Sequence, residues 1–168
     1  ALLVNGQAVR VLAEEASKLG ALLVHYSTDY VFDGSKSGPY TEDDAPNPLS
    51  VYGRTKLDGE RAIRASGCRH LIFRTSWVYA ARGGNFVKTI LRLAGERDEL
   101  RVVADQIGAP TSAELLADVT ALCAGFVTHF PERFAGVAGT YNLVASGETS
   151  WHNYAQFVVV NATRLGLS

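Results

Sequence analysis

The sequence predicts an α/β protein: the carboxyl-terminal part of a Rossmann-type parallel sheet, followed by a smaller α/β lobe. Two stretches, Ala21-Leu-Leu-Val-His-Tyr-Ser27 and His70-Leu-Ile-Phe-Arg-Thr-Ser-Trp-Val-Tyr79, are apolar on consecutive positions and finish in hydroxyl and aromatic residues. That pattern marks strands buried on both faces of a parallel sheet. A helical stretch separates them, so strand, helix and strand form a right-handed parallel crossover. Ligands of open α/β sheets bind outside the carboxyl ends of the strands, which puts Thr28 at a candidate site.

The elements follow in order. Val4, Ala8, Val11, Leu12, Ala16 and Leu19 fall on one helical stripe closed by Gly20, predicting an amphipathic helix packed on the sheet. After the first strand, Asp33 to Asn47 is rich in Gly, Ser, Pro and acid, and Asn47-Pro48 marks a helix boundary, so this is a loop at the mouth of the crevice. Ser50 is an N-cap candidate for the helix carrying Tyr52, Lys56, Leu57 and Ile63, with Gly67 as its stop. Beyond Tyr79, the loop Ala80 to Gly84 leads to a helix with Phe86, Ile90, Leu91 and Ala94 inward, then a short strand, Leu100 to Val103. Leu115, Leu116, Val119, Leu122, Cys123, Phe126 and Val127 trace a wide apolar face on a helix from Ser112 to His129. The tail holds a strand near Thr140 to Val144 and a helix opened by Thr149 or Ser150, carrying Trp151, Tyr154, Phe157 and Val158.

Composition narrows the classes of function. The chain has 168 residues, is 20% charged and has a formal net charge of −1, with Lys and Arg scattered rather than clustered. Neither a nucleic-acid surface nor a membrane partner is expected, since no apolar run approaches the ~20 residues of a membrane span. Cys68 and Cys123 lack metal-ligand or redox spacing and read as reduced thiols of a cytoplasmic protein. His25, His70, His129 and His152 are dispersed, so no metal site is expected from them.

Chemistry concentrates at Tyr52 and Lys56. Four residues apart on a helix, they project from one face, and a nearby ammonium favours the phenolate of a proton-donating tyrosine. Both strand ends and this helix are expected to face one crevice.

His25-Tyr-Ser-Thr-Asp-Tyr-Val-Phe-Asp-Gly34, Pro48-Leu-Ser-Val-Tyr-Gly-Arg-Thr-Lys-Leu57, Leu71-Ile-Phe-Arg-Thr-Ser-Trp-Val-Tyr79 and Asp105-Gln-Ile-Gly-Ala-Pro-Thr111 resemble the dTDP-4-dehydrorhamnose reductase family of extended short-chain dehydrogenases/reductases. The resemblance covers nearly the whole chain. It implies NADPH- or NADH-dependent reduction of a dTDP-sugar ketone. Residues 1–83 would be part of the cofactor-binding region with the Tyr/Lys pair, and 84–168 mostly a substrate-binding lobe. Tyr52 would be the proton donor, and Lys56 would tune it and hold the nicotinamide ribose. Thr28 would bond the ketone oxygen, Tyr26 lie near the cofactor, Asp29 contact substrate and Trp77 stack on the sugar. Tyr30 lines the same turn, as a site residue or a purely structural one. Arg74 and Arg82 either pair with diphosphate or form ion pairs, and Asp105 and Gln106 either read substrate hydroxyls or shape their turn. Glu114 matches a family position for a magnesium ion at a homodimer interface, although its place at a helix start accounts for it equally. Two alternatives stay open: a sugar-nucleotide epimerase or dehydratase, and a non-catalytic regulatory subunit of methionine adenosyltransferase. No Gly-x-x-Gly-x-x-Gly phosphate loop and no methionine occur, so a preceding cofactor-binding half is expected, without which the chain would be inactive.

Overall fold

A computed structural model of the chain describes residues 1–166. Along the chain the elements are α1 (Val9–Leu19), β1 (Leu22–Thr28), α2 (Val51–Ser66), β2 (Arg69–Thr75), β3 (Val78–Tyr79), α3 (Phe86–Glu96), β4 (Ile107–Gly108), β5 (Thr111–Ser112), α4 (Ala113–His129), β6 (Gly139–Asn142), β7 (Thr149–Ser150) and α5 (Trp151–Arg164). Two compact units result. One comprises Ala1–Thr75 and Asp118–Leu143, the other Ser76–Ala117 and the residues from Val144 onward. This division differs from a single break at 83, because β6 returns to pair with β2.

The first unit is built on three parallel strands in the order β1-β2-β6, with Leu22 opposite Arg69 and Thr28 opposite Thr75. Successive residues of a strand point to opposite faces. Ile72 joins Val9, Ala13, Ala16, Ile63 and Cys68 on the side of α1 and α2. Leu71 and Phe73 meet Val127 and the half-buried Cys123 of α4 on the other. Central β2 is buried from Leu71 to Thr75. In β1 only Ser27 and Thr28 are buried, which corrects the expectation of burial along the whole strand: in the described sheet β1 has a neighbour on one side only.

A larger correction concerns the first helix. A π-helical stretch, Leu3–Ala8, precedes α1, and the pair buries Gly6, Val9, Ala13 and Ala16. Val4, Val11, Leu12 and Leu19 are exposed. The π turn rotates the stripe, and small residues face α2 because the two helices approach closely. A Cβ on Gly59 of α2 would overlap the carbonyl oxygen of Asn5. On α4, likewise, Leu116 and Val127 are buried while Leu122 is exposed.

Helix α2 begins and ends where its sequence says. The Ser50 side chain accepts from Gly53 N–H (2.9 Å), and Gly67 closes the helix at φ 68°. The preceding loop is tied together by Asp33, whose carboxylate accepts from Ser35, Tyr40 and Asn47. Those bonds, Ser35's first, hold its pKa well below the usual carboxylate range.

In the second unit β3 pairs with β5 in parallel and β4 with β7 antiparallel. Helices α3 and α5 meet around Ile90, Ala155 and Val158. The strand expected through Tyr79 breaks at Ser76-Trp77. There Trp77 adopts φ 48°, Ser76 Oγ donates to Ala109 O (3.1 Å) and Thr111 N–H donates to Trp77 O (3.3 Å). Leu100 to Val103 is not a strand, though the Val103 carbonyl accepts from His152 N–H (3.0 Å). Among the described residues no helix is long and apolar enough to cross a membrane.

Replacing a helical glycine by alanine ordinarily stabilises, by roughly 1 kcal/mol. At Gly59 the sign should reverse, because the added methyl meets backbone. Gly59→Ala is expected to cost about 1–3 kcal/mol in a denaturant titration; equal or greater stability would show that α2 can move away from Asn5.

Candidate active site

Thr28 ends β1 and starts a single 3-10 turn, Asp29–Val31. Its hydroxyl accepts from Tyr30 N–H (3.2 Å) and donates to Asp29 Oδ1 (3.0 Å), so the residue builds the turn it borders. Burial pushes the Asp29 carboxyl up, and the bond from Thr28 only partly offsets this. The Tyr30 phenol is also raised, by burial first and then by the charges of Asp29 and Tyr52.

Helix α2 starts against this turn. A Cβ on Gly53 would overlap the Tyr30 carbonyl oxygen and come within 3.0 Å of Pro48 Cβ, so only glycine permits the approach. The neighbouring Tyr52 is therefore set down beside Tyr30, rings edge to face with centroids 6.2 Å apart, and is 48% exposed. One turn on, the half-buried Lys56 donates to Tyr26 O (2.6 Å) and stands 3.4 Å from His25 Nε2. Burial lowers the Lys56 pKa, and the charge of Glu60 opposes it. Burial, then the Lys56 charge, lowers His25 to about 4, leaving a neutral imidazole beside the ammonium at neutral pH. The Tyr26 hydroxyl shares a 2.6 Å hydrogen bond with Thr120 of α4.

One turn further, Glu60 is fully buried and paired with Arg74, which is itself 4% exposed. Arg74 is thus an interior ion pair. Thr28, Asp29, Tyr30, Tyr52, Lys56 and Tyr26 are gathered at the carboxyl end of β1. The sequence reading missed His25 and Glu60. The signal for Glu60 was the four-residue spacing Tyr52, Lys56, Glu60.

The remaining candidates belong to the second unit. Trp77 stacks on Trp151, centroids 3.6 Å apart at 15°, and packs so tightly on Gly108 that a Cβ there would lie 2.6 Å from the indole. Its left-handed backbone is uncommon for a residue of this size. Arg82, Asp105 and Gln106 are exposed, and Glu114 is exposed in the first turn of α4. Among the described residues no three His, Cys, Asp or Glu side chains gather as a metal-ligand set. A cavity of about 640 Å³ lies within this unit, with Phe86, Ile90, Leu100, Gln106 and Trp151 in its wall.

Parallel strands with helices on both faces, and polar residues gathered at a strand's carboxyl end, define an α/β protein of the Rossmann type. More narrowly, the chain belongs to the RmlD substrate binding domain family, whose model matches residues 1–165. It is 54% identical over 168 residues to dTDP-4-dehydrorhamnose reductase of Shigella flexneri, covering 100% of this chain and 55% of the relative. Among solved structures, a dTDP-4-dehydrorhamnose reductase from Clostridium acetobutylicum superimposes with TM-score 0.83 at 40% identity, over 95% of this chain and 54% of that one. The enzyme of the same name from Bacillus anthracis, in complex with NADP, gives TM-score 0.83 at 37% identity, over 97% and 55%. The chain therefore spans about half the length of the relatives it matches.

His25 makes the site sensitive to acid. Its folded-state pKa of about 4 lies below the ordinary 6.5, so between these values the unfolded chain binds a proton that the folded chain refuses. Its contribution is full above pH 6.5, falls as pH drops through that window and levels off below 4. His25→Asn is expected to flatten this part of the stability profile, measured by urea titration from pH 7 to 4.5. A mutant whose profile parallels the wild type would remove His25 as the cause.

Proposed function

We propose that this chain carries the proton-donor site and part of the substrate-binding region of a reductase. In this reading the full-length protein uses NADPH or NADH to reduce the 4-keto group of dTDP-4-dehydro-L-rhamnose to the alcohol. The observation that carries it is the half-exposed Tyr52 beside Thr28's turn, one helical turn before a half-buried Lys56, in a chain 54% identical to a named reductase.

Reducing a ketone requires a hydride at carbon and a proton at oxygen. The nicotinamide, when bound, supplies the hydride. Tyr52 gives its phenolic proton to the developing alkoxide. The Thr28 hydroxyl has one proton, directed at Asp29 in this structure, and a ketone oxygen would take it as a second hydrogen bond where negative charge grows. Lys56 and Tyr26 fit the ribose end of a dinucleotide, since the ammonium is held by one short bond to β1 and has further N–H groups to give. The pyrophosphate finds no glycine loop in this sequence and is assigned to residues outside it. In the second unit, the 640 Å³ cavity and the aromatic pair Trp77/Trp151 suit a nucleotide sugar by size and chemistry. The names of the similar proteins weigh against the epimerase or dehydratase and the regulatory-subunit readings.

NADPH oxidation on adding dTDP-4-dehydrorhamnose tests the reading directly. In single-turnover hydride transfer, Tyr52→Phe is expected to lower kcat by about 10²–10⁴-fold, the range for a lost general acid, with substrate affinity little changed. Near-normal kcat in a folded mutant would move the proton donor elsewhere, with Tyr26 and Tyr30 the next to replace.

Trp77→Ala separates a sugar contact from packing. A sugar-contacting indole predicts that sugar-nucleotide affinity weakens by roughly 1–3 kcal/mol while NADPH affinity stays, as titration with each ligand would show. A sharp fall in Tm with parallel loss of both affinities would reduce the Trp77/Trp151 stack to core packing.

A further inference from the structure

Glu60 is a carboxylate with no exposed surface. It accepts Ser27 Oγ–H of β1 at 2.6 Å, and Arg74 Nε and Nη2 of β2 at 3.0 and 2.8 Å. Arg64, on its own helix, donates to it at 3.3 Å and also to Thr140 Oγ1 of β6 at 3.2 Å. Glu60 thus ties α2 to β1 and β2, and its helix neighbour Arg64 ties α2 to β6. Burial pushes the Glu60 pKa up, but the bonds from Arg74 and Ser27 and the charges of Arg74 and Arg64 outweigh this and hold it ionised.

A buried ion pair is an inefficient stabiliser, because desolvating both charges consumes most of what their attraction returns. Its location here suggests another use. Ser27 and Arg74 are register partners immediately before Thr28 and Thr75, at the carboxyl ends of two neighbouring strands. Glu60 follows Lys56 by one helical turn and Tyr52 by two, on the same face.

We propose that Glu60 is the positioning residue of the Tyr52/Lys56 helix: its buried carboxylate fixes α2 against the ends of β1 and β2, holds Lys56 directed at the Tyr26 carbonyl and sets a negative charge one helical turn from the ammonium. This rests on the reading of Tyr52 and Lys56 as catalytic. The elements packed on α2 bring His25 from β1, Asp29 and Tyr30 from the turn, and Arg74 from β2, which stands behind Glu60. Tyr52, Arg54, Asp58, Arg61 and Arg64 share the helix with Lys56; Arg54, Asp58 and Arg61 are exposed, as are the charged residues of α1. His25 is neutral above about pH 4, and Glu60, four residues after Lys56, is the buried anion of the helix face they share.

The test compares wild type, Glu60→Gln and Ser27→Ala in the full-length protein. Lysine is ¹³C-labelled, the Lys56 signal is assigned through Lys56→Arg, and its titration is followed by NMR. In parallel, kcat and KM for dTDP-4-dehydrorhamnose are measured across pH with NADPH. Glu60→Gln is expected to move the Lys56 midpoint to lower pH, to carry the alkaline limb of kcat with it, and to lower kcat roughly 10- to 100-fold by misplacing the helix. KM should change little. Ser27→Ala keeps the charge, so the midpoint should stay while kcat falls up to about 10-fold. An unmoved Lys56 midpoint in Glu60→Gln, or a loss of Tm with wild-type kcat and pH profile, overturns the proposal. Should Glu60→Gln fail to fold, Ser27→Ala decides: wild-type kcat at every pH overturns it, and the expected fall supports it. If the wild type reduces no ketone, the functional reading fails, while the Lys56 titration still judges Glu60.

Discussion

Helix α2 lies where it does because two of its residues have no side chain. Gly53 lets its first turn press on the Tyr30 carbonyl, and Gly59 lets its middle press on Asn5 in the π-helical stretch. Backbone cannot yield as a flexible side chain can, so these contacts act as stops that fix both the height and the tilt of the helix. Everything chemically active nearby inherits that placement. Tyr52 precedes one of the stops, Lys56 lies between them, and Glu60 follows the other.

The same closeness sets the electrostatics. A lysine that leaves water loses solvation and becomes easier to deprotonate, and here the loss is met by one backbone carbonyl, a neutral imidazole and a buried carboxylate. Burial first, and then the ammonium beside it, hold His25 neutral. Thr28, Asp29 and Tyr30 form a second polar group, in which Thr28 donates to Asp29 and accepts from the Tyr30 backbone. The two groups meet at β1, where Tyr26 and Thr28 are alternate residues of one strand.

Much of this was legible in the sequence because it depends on neighbours along the chain. Ser50 and Gly67 are read as caps from local chemistry, and the Tyr52/Lys56 spacing is a property of any helix. The first helix was misread because an apolar period of 3.6 cannot anticipate a π turn or a glycine contact with another helix. The left-handed backbone of Trp77 could not be read from an apolar run, since glycine is the residue that usually announces that conformation, and here it accompanies an indole stacked on Trp151. Glu60 continues the four-residue spacing of Tyr52 and Lys56, but its burial shows only when the fold brings an arginine from β2 against it. The discontinuity of the first unit was equally invisible, because a four-residue strand at 139 says nothing of which earlier strand it will join.

That discontinuity has a consequence in time. A ribosome delivers the chain from its amino end, at about 5–20 residues per second in the general case. β1 and β2 can pair as soon as they emerge, yet the far edge of β2 must wait for Gly139–Asn142, roughly 60 residues later. For several seconds a nascent chain would carry Leu71, Ile72 and Phe73 on a strand with one edge open, the kind of edge that recruits other chains. Residues 76–117 are synthesised within that interval, so the order of elements makes the second unit's first half a delay line in the completion of the first.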